Sequence, residues 1–130
     1  MKPARLLLLP VFAGFPSPAD DFRDKELSLD DLLIVHPAAT YFARVSGDSM
    51  RNLGIRDQDI VVVDRALEAK QNSIILASLN GSFLVKRLHY HNETTYLFSA
   101  NPLYKPMKIT ADMQFEIWGV VRAAIHLFVQ

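Results

Sequence analysis

The sequence predicts a mainly β domain that follows an extended N-terminal arm and a short helix. From Thr40 onward, short runs of β-branched and aromatic residues alternate with turn signals, a pattern typical of antiparallel sheets. The dipeptide Asn80-Gly81 joins two of these runs and favours a type I′ hairpin turn. Four prolines precede residue 27, and they exclude a continuous helix there and indicate an extended arm.

In chain order, we expect an arm over residues 1–26 and a β domain over residues 27–130. Ser28 precedes Leu29 and two acidic residues, which predicts a short capped helix that ends before Pro37. Alternation and turn signals then predict eight strands. They cover residues 40–45, 60–64, 73–79, 83–90, 95–99, 107–110, 115–121 and 123–129.

Composition and charge exclude several classes of function. The 130 residues carry 14 basic and 14 acidic side chains and are 50% hydrophobic, which is typical of one ordinary globular domain. A formal charge of zero gives no global basic field, so direct nucleic-acid binding is disfavoured. Cysteine is absent, which excludes disulfides, thiolate zinc sites and cysteine nucleophiles.

The first residues resemble a secretory signal. Lys2 and Arg5 precede an apolar stretch over residues 6–12, and small residues follow it at Ala13 and Gly14. The 13 residues up to Ala13 are fewer than the roughly 15–30 of a secretory signal peptide, and Pro10 interrupts the apolar stretch. No apolar segment approaches the roughly 20 residues of a membrane span. We therefore expect a cytoplasmic protein without a membrane anchor.

The second hairpin strand carries two cations between apolar residues. Alternation places Leu84, Lys86 and Leu88 on one face and Phe83 and Arg87 on the other. Whichever face packs inward brings a cation toward the core, and a lysine can accept that position by losing its proton. From this strand alone, a surface strand whose cationic groups reach solvent is the simpler interpretation.

A second feature is the turn Gly47-Asp48-Ser49-Met50, which follows a predicted strand. This position predicts an exposed serine, and backbone N–H groups at such a turn can stabilise the oxyanion that a serine nucleophile would produce. Asp and Ser are also common turn and cap residues, so from the motif alone a structural turn is the simpler interpretation.

Other chemistries have weaker support. His89 and His91 alternate near a strand end, where two histidines without a third ligand indicate a solvated strand rather than a metal site. No acid is spaced in sequence to orient His36 or His126 as a general base. The sequence also lacks a Walker loop and a dinucleotide fingerprint. We therefore expect neither a metal nor a cofactor.

Taken together, these motifs resemble the self-cleaving serine peptidases of the LexA and UmuD type, the S24 family. The resemblance covers essentially the whole chain from Val11. Its main blocks are YFARVSGDSM at 41–50, GIRDQDIVVVD at 54–64 and FLVKRL at 83–88. Shorter matches are GFPSPADD at 14–21, LLI at 32–34 with His36-Pro37, Asn101 with YKP at 104–106, and WGVV at 118–121.

The resemblance implies a fold, an activity and partners. The fold would be a LexA and signal-peptidase-like domain of twisted antiparallel sheets. Ser49 would be the nucleophile, Lys86 the general base, and Ala13-Gly14 the bond that is cleaved. Proteins of this type form homodimers, cleave themselves when a RecA nucleoprotein filament promotes the reaction, and then join a UmuC-like Y-family translesion polymerase subunit in SOS mutagenesis.

Two positions depart from the family pattern. Asn72-Ser73 stands where Gly-Asp is usual, and Leu84 stands where a threonine is usual, two residues before Lys86. A hydroxyl at position 84 can help to orient the lysine amine, so its absence favours an alternative function as a non-catalytic dimeric binding module. With only 13 residues before Gly14, we expect no helix-turn-helix repressor domain ahead of the cleaved bond.

Overall fold

A computed structural model describes residues 7–8, 13–14 and 25–129. The chain divides into two compact units, Met1–Val35 and His36–Gln130. The predicted arm, residues 1–26, belongs to the first unit, and most of it lies outside the described residues. The predicted boundary between residues 26 and 27 therefore stays a prediction.

The first unit contains a short strand pair and the predicted helix. Strands β1 (Leu7–Leu8) and β2 (Lys25–Glu26) pair in antiparallel fashion, which the sequence analysis did not predict. Helix α1 (Leu29–Leu33) begins after Ser28, whose Oγ accepts a hydrogen bond from the backbone N–H of Asp31 at 3.3 Å. The predicted cap is thus confirmed, and it satisfies one of the N–H groups that a helix start leaves without a partner.

The second unit contains one seven-stranded antiparallel sheet. The strands are β3 (Thr40–Arg44), β4 (Ile60–Asp64), β5 (Ile74–Leu79), β6 (Ser82–His91), β7 (Thr94–Phe98), β8 (Met107–Lys108) and β9 (Phe115–Ile125). Along the sheet the strand order is β3-β4-β9-β5-β6-β7-β8. Two 3₁₀ turns precede β3 and β4, at Pro37–Ala39 and Arg51–Leu53 respectively. The predicted mainly β fold class is confirmed.

The predicted hairpin joins β5 and β6. Leu79 pairs with Ser82, and the two residues between them, Asn80 and Gly81, have φ values of 50° and 86°. Both residues therefore adopt the left-handed conformation that a type I′ turn requires and that Asn-Gly accepts most readily.

The last two predicted strands, 115–121 and 123–129, were wrong as separate elements. They form one strand, β9, which pairs with β5 in its first part and with β4 in its second. Trp118 has no partner in the register with β5, and Arg122 has none in the register with β4, as in a β-bulge. A bulge lets one strand continue where the alternation of apolar and polar residues breaks. The strand ends at Ile125, and the residues that follow are largely exposed, with Phe128 at 89%.

Buried residues form two clusters. The Met50 cluster contains Met50, Ile55, Val61, Val63 and Leu76, and the Leu88 cluster contains Ile75, Ala77, Leu88 and Leu97. Ile75 and Leu76 are neighbours on β5 but belong to different clusters, as strand alternation requires. Val85 packs on the Met50 cluster and Leu84 on the Leu88 cluster, so β6 is apolar on both faces as predicted.

Candidate active site

Ser49 lies in the turn that connects β3 to the 3₁₀ turn Arg51–Leu53. Gly47 has a φ of 99°, and its N–H donates to Asp57 Oδ1 at 2.7 Å, a bond that lowers the pKa of Asp57. The next residue after Ser49, Met50, is buried in its cluster at 1% exposure. Ser49 is consequently partly buried rather than exposed as predicted, because Met50 draws the turn into the core.

The segment that follows β7 holds the Ser49 turn from both sides. Asn101, itself 4% exposed, donates from Nδ2 to the carbonyl oxygen of Asp48 at 3.0 Å. Tyr104 donates its hydroxyl to Asp48 Oδ1 at 2.8 Å. On the other side, the N–H of Asn52 donates to the carbonyl oxygen of Ala100 at 2.8 Å. The residues before and after Ser49 are therefore attached to one short segment, residues 99–104, defined here as the post-β7 segment.

Lys86 reaches the same segment from β6. Its Nζ donates to Ser99 Oγ at 2.7 Å and lies 5.3 Å from the ring centroid of Tyr104. The side chain is partly buried, and burial lowers the pKa of the Lys86 ammonium from its usual value. A lowered pKa increases the fraction of neutral amine, which is the form that can accept a proton.

The post-β7 segment thus connects Ser49 and Lys86, the two residues that the sequence motifs indicate as nucleophile and base. Tyr104 contacts the Lys86 amine with its ring and Asp48, the neighbour of Ser49, with its hydroxyl. Ser49 lies in a turn and Lys86 on β6, 37 positions further along the chain, and both are held by contacts to one segment. Their roles as nucleophile and base remain predictions, as does cleavage at Ala13 and Gly14, which lie exposed in the first unit.

An apolar cleft of about 400 Å³ opens beside edge strand β3. It is lined by β3, by residues 83–85 of β6 and by Trp118 of β9. Trp118 forms the centre of an aromatic group, with Tyr41 at 4.9 Å and Phe83 at 5.9 Å between ring centroids. An edge strand with an apolar cleft beside it can take an extended peptide through backbone hydrogen bonds and side-chain pockets.

Two histidines have acidic partners that sequence spacing did not reveal. His36 Nδ1 lies 2.6 Å from Asp64 Oδ2, and His126 Nδ1 lies 2.5 Å from Asp59 Oδ1. The prediction that neither histidine has an orienting acid was therefore wrong. Burial by itself raises the pKa of Asp64, but hydrogen bonds from His36 and from the backbone N–H of Ala66 hold it below its usual value, with a smaller contribution from the positive charge of Arg122.

The other two histidines stack at the end of β6. The rings of His89 and His91 are 6.4 Å apart and nearly parallel, and His89 also contacts Gln71 and Phe98. Within the part of the chain that the structure describes, no group of three or more His, Cys, Asp or Glu is placed to hold a metal ion. None of its helices is long and apolar enough to span a membrane.

A match to a known protein family classifies this chain. The family model described as "Peptidase S24-like" matches residues 7–122. The chain belongs to this family. The matched range contains both anchored residues, Ser49 and Lys86, and the predicted bond after Ala13. Membership supports a self-cleaving serine peptidase as the kind of enzyme.

Several known proteins are similar to this Peptidase S24-like chain over most of its length. Protein SamA of Salmonella typhimurium is 44% identical over 114 residues, which cover 88% of this chain and 79% of SamA. Protein MucA of Escherichia coli is 41% identical over 119 residues, covering 85% of this chain and 76% of MucA. LexA repressor 1 of Xanthomonas campestris is 37% identical over 123 residues, 91% of this chain but 60% of the repressor. The predicted resemblance and the function class, a UmuD-like protein of SOS mutagenesis, are confirmed.

Proposed function

We propose that this protein cleaves its own Ala13-Gly14 bond with Ser49 as nucleophile and Lys86 as general base. The observation that carries the proposal is the shared anchorage of the two residues. The post-β7 segment binds the backbone around Ser49 and also binds the Lys86 amine, which burial makes easier to deprotonate. A serine hydroxyl is a weak nucleophile, and a neutral lysine amine can activate it without a histidine.

In the first step, neutral Lys86 takes the proton from Ser49 Oγ while that oxygen attacks the carbonyl carbon of Ala13. The resulting oxyanion accepts a hydrogen bond from the backbone N–H of Ser49. When the C–N bond breaks, the Lys86 ammonium gives its proton to the departing amine of Gly14. Lys86 then activates a water that hydrolyses the ester between Ala13 and Ser49, restoring the hydroxyl.

The cleft beside β3 supports the peptidase assignment. Its walls are largely apolar and it runs along the edge strand that leads into the Ser49 turn. An extended segment bound there would be directed toward that turn by the strand itself. Small residues on both sides of the cleaved bond, such as Ala13 and Gly14, allow a close approach to the nucleophile.

The proposed partners follow from the family. A RecA nucleoprotein filament would promote cleavage, and the trimmed homodimer would act with a UmuC-like Y-family polymerase subunit in the cytoplasm. Exposed apolar residues at the end of the described chain, Leu127, Phe128 and Val129, support an interface between subunits. Sequence-specific DNA binding by this chain is not part of the proposal, since its net charge is zero.

The test is mass spectrometry of the purified protein after incubation with an activated RecA filament. We expect a new N-terminus at Gly14, and no trimming in Ser49→Ala or Lys86→Ala. The matched controls are Ser82→Ala and Lys70→Ala, which replace exposed residues of the same types and should be trimmed at the parental rate. A different new N-terminus would refute the cleavage site, and normal trimming of either site variant would refute the assignment of that residue.

The second candidate is a dimeric binding module of the same fold without useful peptidase activity. Leu84 favours it, because this position lacks the hydroxyl that could orient the Lys86 amine. The same mass spectra decide between the two functions. A parent protein that stays intact with an activated RecA filament and at alkaline pH, while still forming dimers, would establish the binding module and refute the peptidase.

A further inference from the structure

We infer that Ser99 is the positioning residue for the Lys86 amine, an inference that rests on the proposed peptidase function. Ser99 Oγ accepts a hydrogen bond from Lys86 Nζ at 2.7 Å, a typical length for a charge-assisted bond. Ser99 thus supplies from a neighbouring segment the hydroxyl that Leu84 does not supply from β6.

The backbone around Ser99 is fixed, so its hydroxyl has a defined position. Arg87 pairs with Phe98, which places Lys86 and Ser99 directly opposite each other where the β6-β7 ladder ends. Before Ser99, Leu97 is buried at 1% exposure, and after it Ala100 accepts the hydrogen bond from Asn52. The segment that orients the amine is therefore the segment that holds the turn of the nucleophile.

One accepted hydrogen bond restricts how the amine can turn. A neutral amine has two N–H groups and one lone pair, and only the lone pair can take a proton from a serine hydroxyl. When one N–H points to Ser99 Oγ, rotation about the Cε–Nζ bond is limited to arrangements that place the lone pair away from Ser99. Removing this bond adds rotational states in which the base is unproductive.

Ser99 is uncharged, which matters for a base that must lose its proton. A carboxylate at this distance would favour the ammonium form, whereas a hydroxyl favours it much less. The titratable group that faces the amine from the post-β7 segment is Tyr104, and its hydrogen bond to Asp48 raises the pKa of the phenol and keeps it neutral. Burial therefore remains the effect that lowers the pKa of Lys86.

The experiment measures self-cleavage without RecA from neutral to alkaline pH in the full chain. We expect Ser99→Ala to lower the plateau rate about 10-fold, the equivalent of one hydrogen bond between neutral groups, because the amine is neutral at the plateau. The midpoint of its pH profile should move to lower pH, because an acceptor for the ammonium form is lost. Ser99→Thr should retain the plateau within about threefold, since it keeps the hydroxyl.

Two further variants separate positioning from structure. Ser78→Ala removes a partly buried serine from β5 and should change neither plateau nor midpoint. Ser99→Ala combined with Leu84→Thr restores a hydroxyl on the lysine's own strand and should recover part of the lost rate. Thermal unfolding measures the change in stability of each variant. If Ser99 had a purely structural role, the loss of cleavage rate would follow the loss of stability. If Ser99 positions the amine, the rate should fall without a comparable loss of stability.

The outcomes distinguish the inference from the proposed function. A Ser99→Ala variant with the parental plateau and midpoint would overturn the inference, and so would a loss of rate that Ser99→Thr shares. In either case the proposed function stands as long as the Ser49→Ala and Lys86→Ala variants are not cleaved. Cleavage that persists in Ser49→Ala or Lys86→Ala would instead refute the proposed function itself.

Discussion

Gly119 lies where β9 passes against β4, and replacing it by alanine tests the packing behind the candidate site. An added Cβ at this position would lie 2.5 Å from Val63 Cγ1 and 3.3 Å from Arg65 Cγ. Carbon atoms that are not bonded do not approach to 2.5 Å, and Val63 is fully buried in the cluster that anchors Met50. The valine must therefore leave its rotamer or the two strands must separate.

The cost follows from the overpacking of a buried contact. Insertion of a methyl group into a well-packed core costs about 1–3 kcal/mol. For a chain of this size, each kcal/mol lowers the melting temperature by about 4 °C, so we expect Gly119→Ala to lower it by about 4–12 °C. Circular dichroism or calorimetry gives this shift. The control is Gly14→Ala, which adds the same methyl where nothing lies within 4 Å and should change the melting temperature by less than about 2 °C.

A double-mutant cycle identifies the contact responsible. Val63→Ala removes the Cγ1 atom that the new methyl group would meet, so the double variant should be more stable than the sum of the two single changes by about 1 kcal/mol. A melting temperature of Gly119→Ala within about 1 °C of the parent would refute the close approach of β9 to β4. Additive single changes would show that the strain arises at another contact.

Three further predictions concern the candidate site and the assembly. Self-cleavage should accelerate as pH rises and level off below the usual lysine pKa of about 10.4, because burial lowers the pKa of Lys86 and the neutral amine is the reactive form. A rate that still rises at that pH would show that the Lys86 amine is solvated. Tyr104→Phe should slow cleavage about 2- to 10-fold and leave stability nearly unchanged, since its bond to Asp48 is exposed; an unchanged rate would show that the bond does not hold the turn. Sedimentation at micromolar concentration should give a dimer, and a monomer alone would contradict the proposed assembly.

Elements that depend on local chemistry could be predicted from the sequence. The capped start at Ser28 and the Asn80-Gly81 hairpin were confirmed, because a cap and a two-residue turn are determined by residues only a few positions apart. Strand β9 was divided in error, because Arg122 interrupts the apolar alternation and a bulge cannot be distinguished from a strand end without the partner strand.

Contacts between distant segments could not be predicted in the same way. His36 and Asp64 are 28 positions apart, and His126 and Asp59 are 67 positions apart, so their pairing depends on the strand order of the sheet. The contact between Ser99 and Lys86 could not be predicted for the same reason. Its relation to Lys86 depends on the β6-β7 register, which the hydrophobic pattern alone does not specify to one residue.

The lysine base of this site must be both desolvated and held in position, and neutral groups around it satisfy both requirements. A lysine base must be dry enough to lose its proton, yet a mobile four-carbon side chain must also be held in place. A carboxylate partner would hold the amine but keep it charged. Here the hydroxyl of Ser99 and the ring of Tyr104 contact the amine, while the Asp48 carboxylate binds the far end of Tyr104. The negative charge is thereby used to fix the turn of Ser49 and does not pair directly with Lys86.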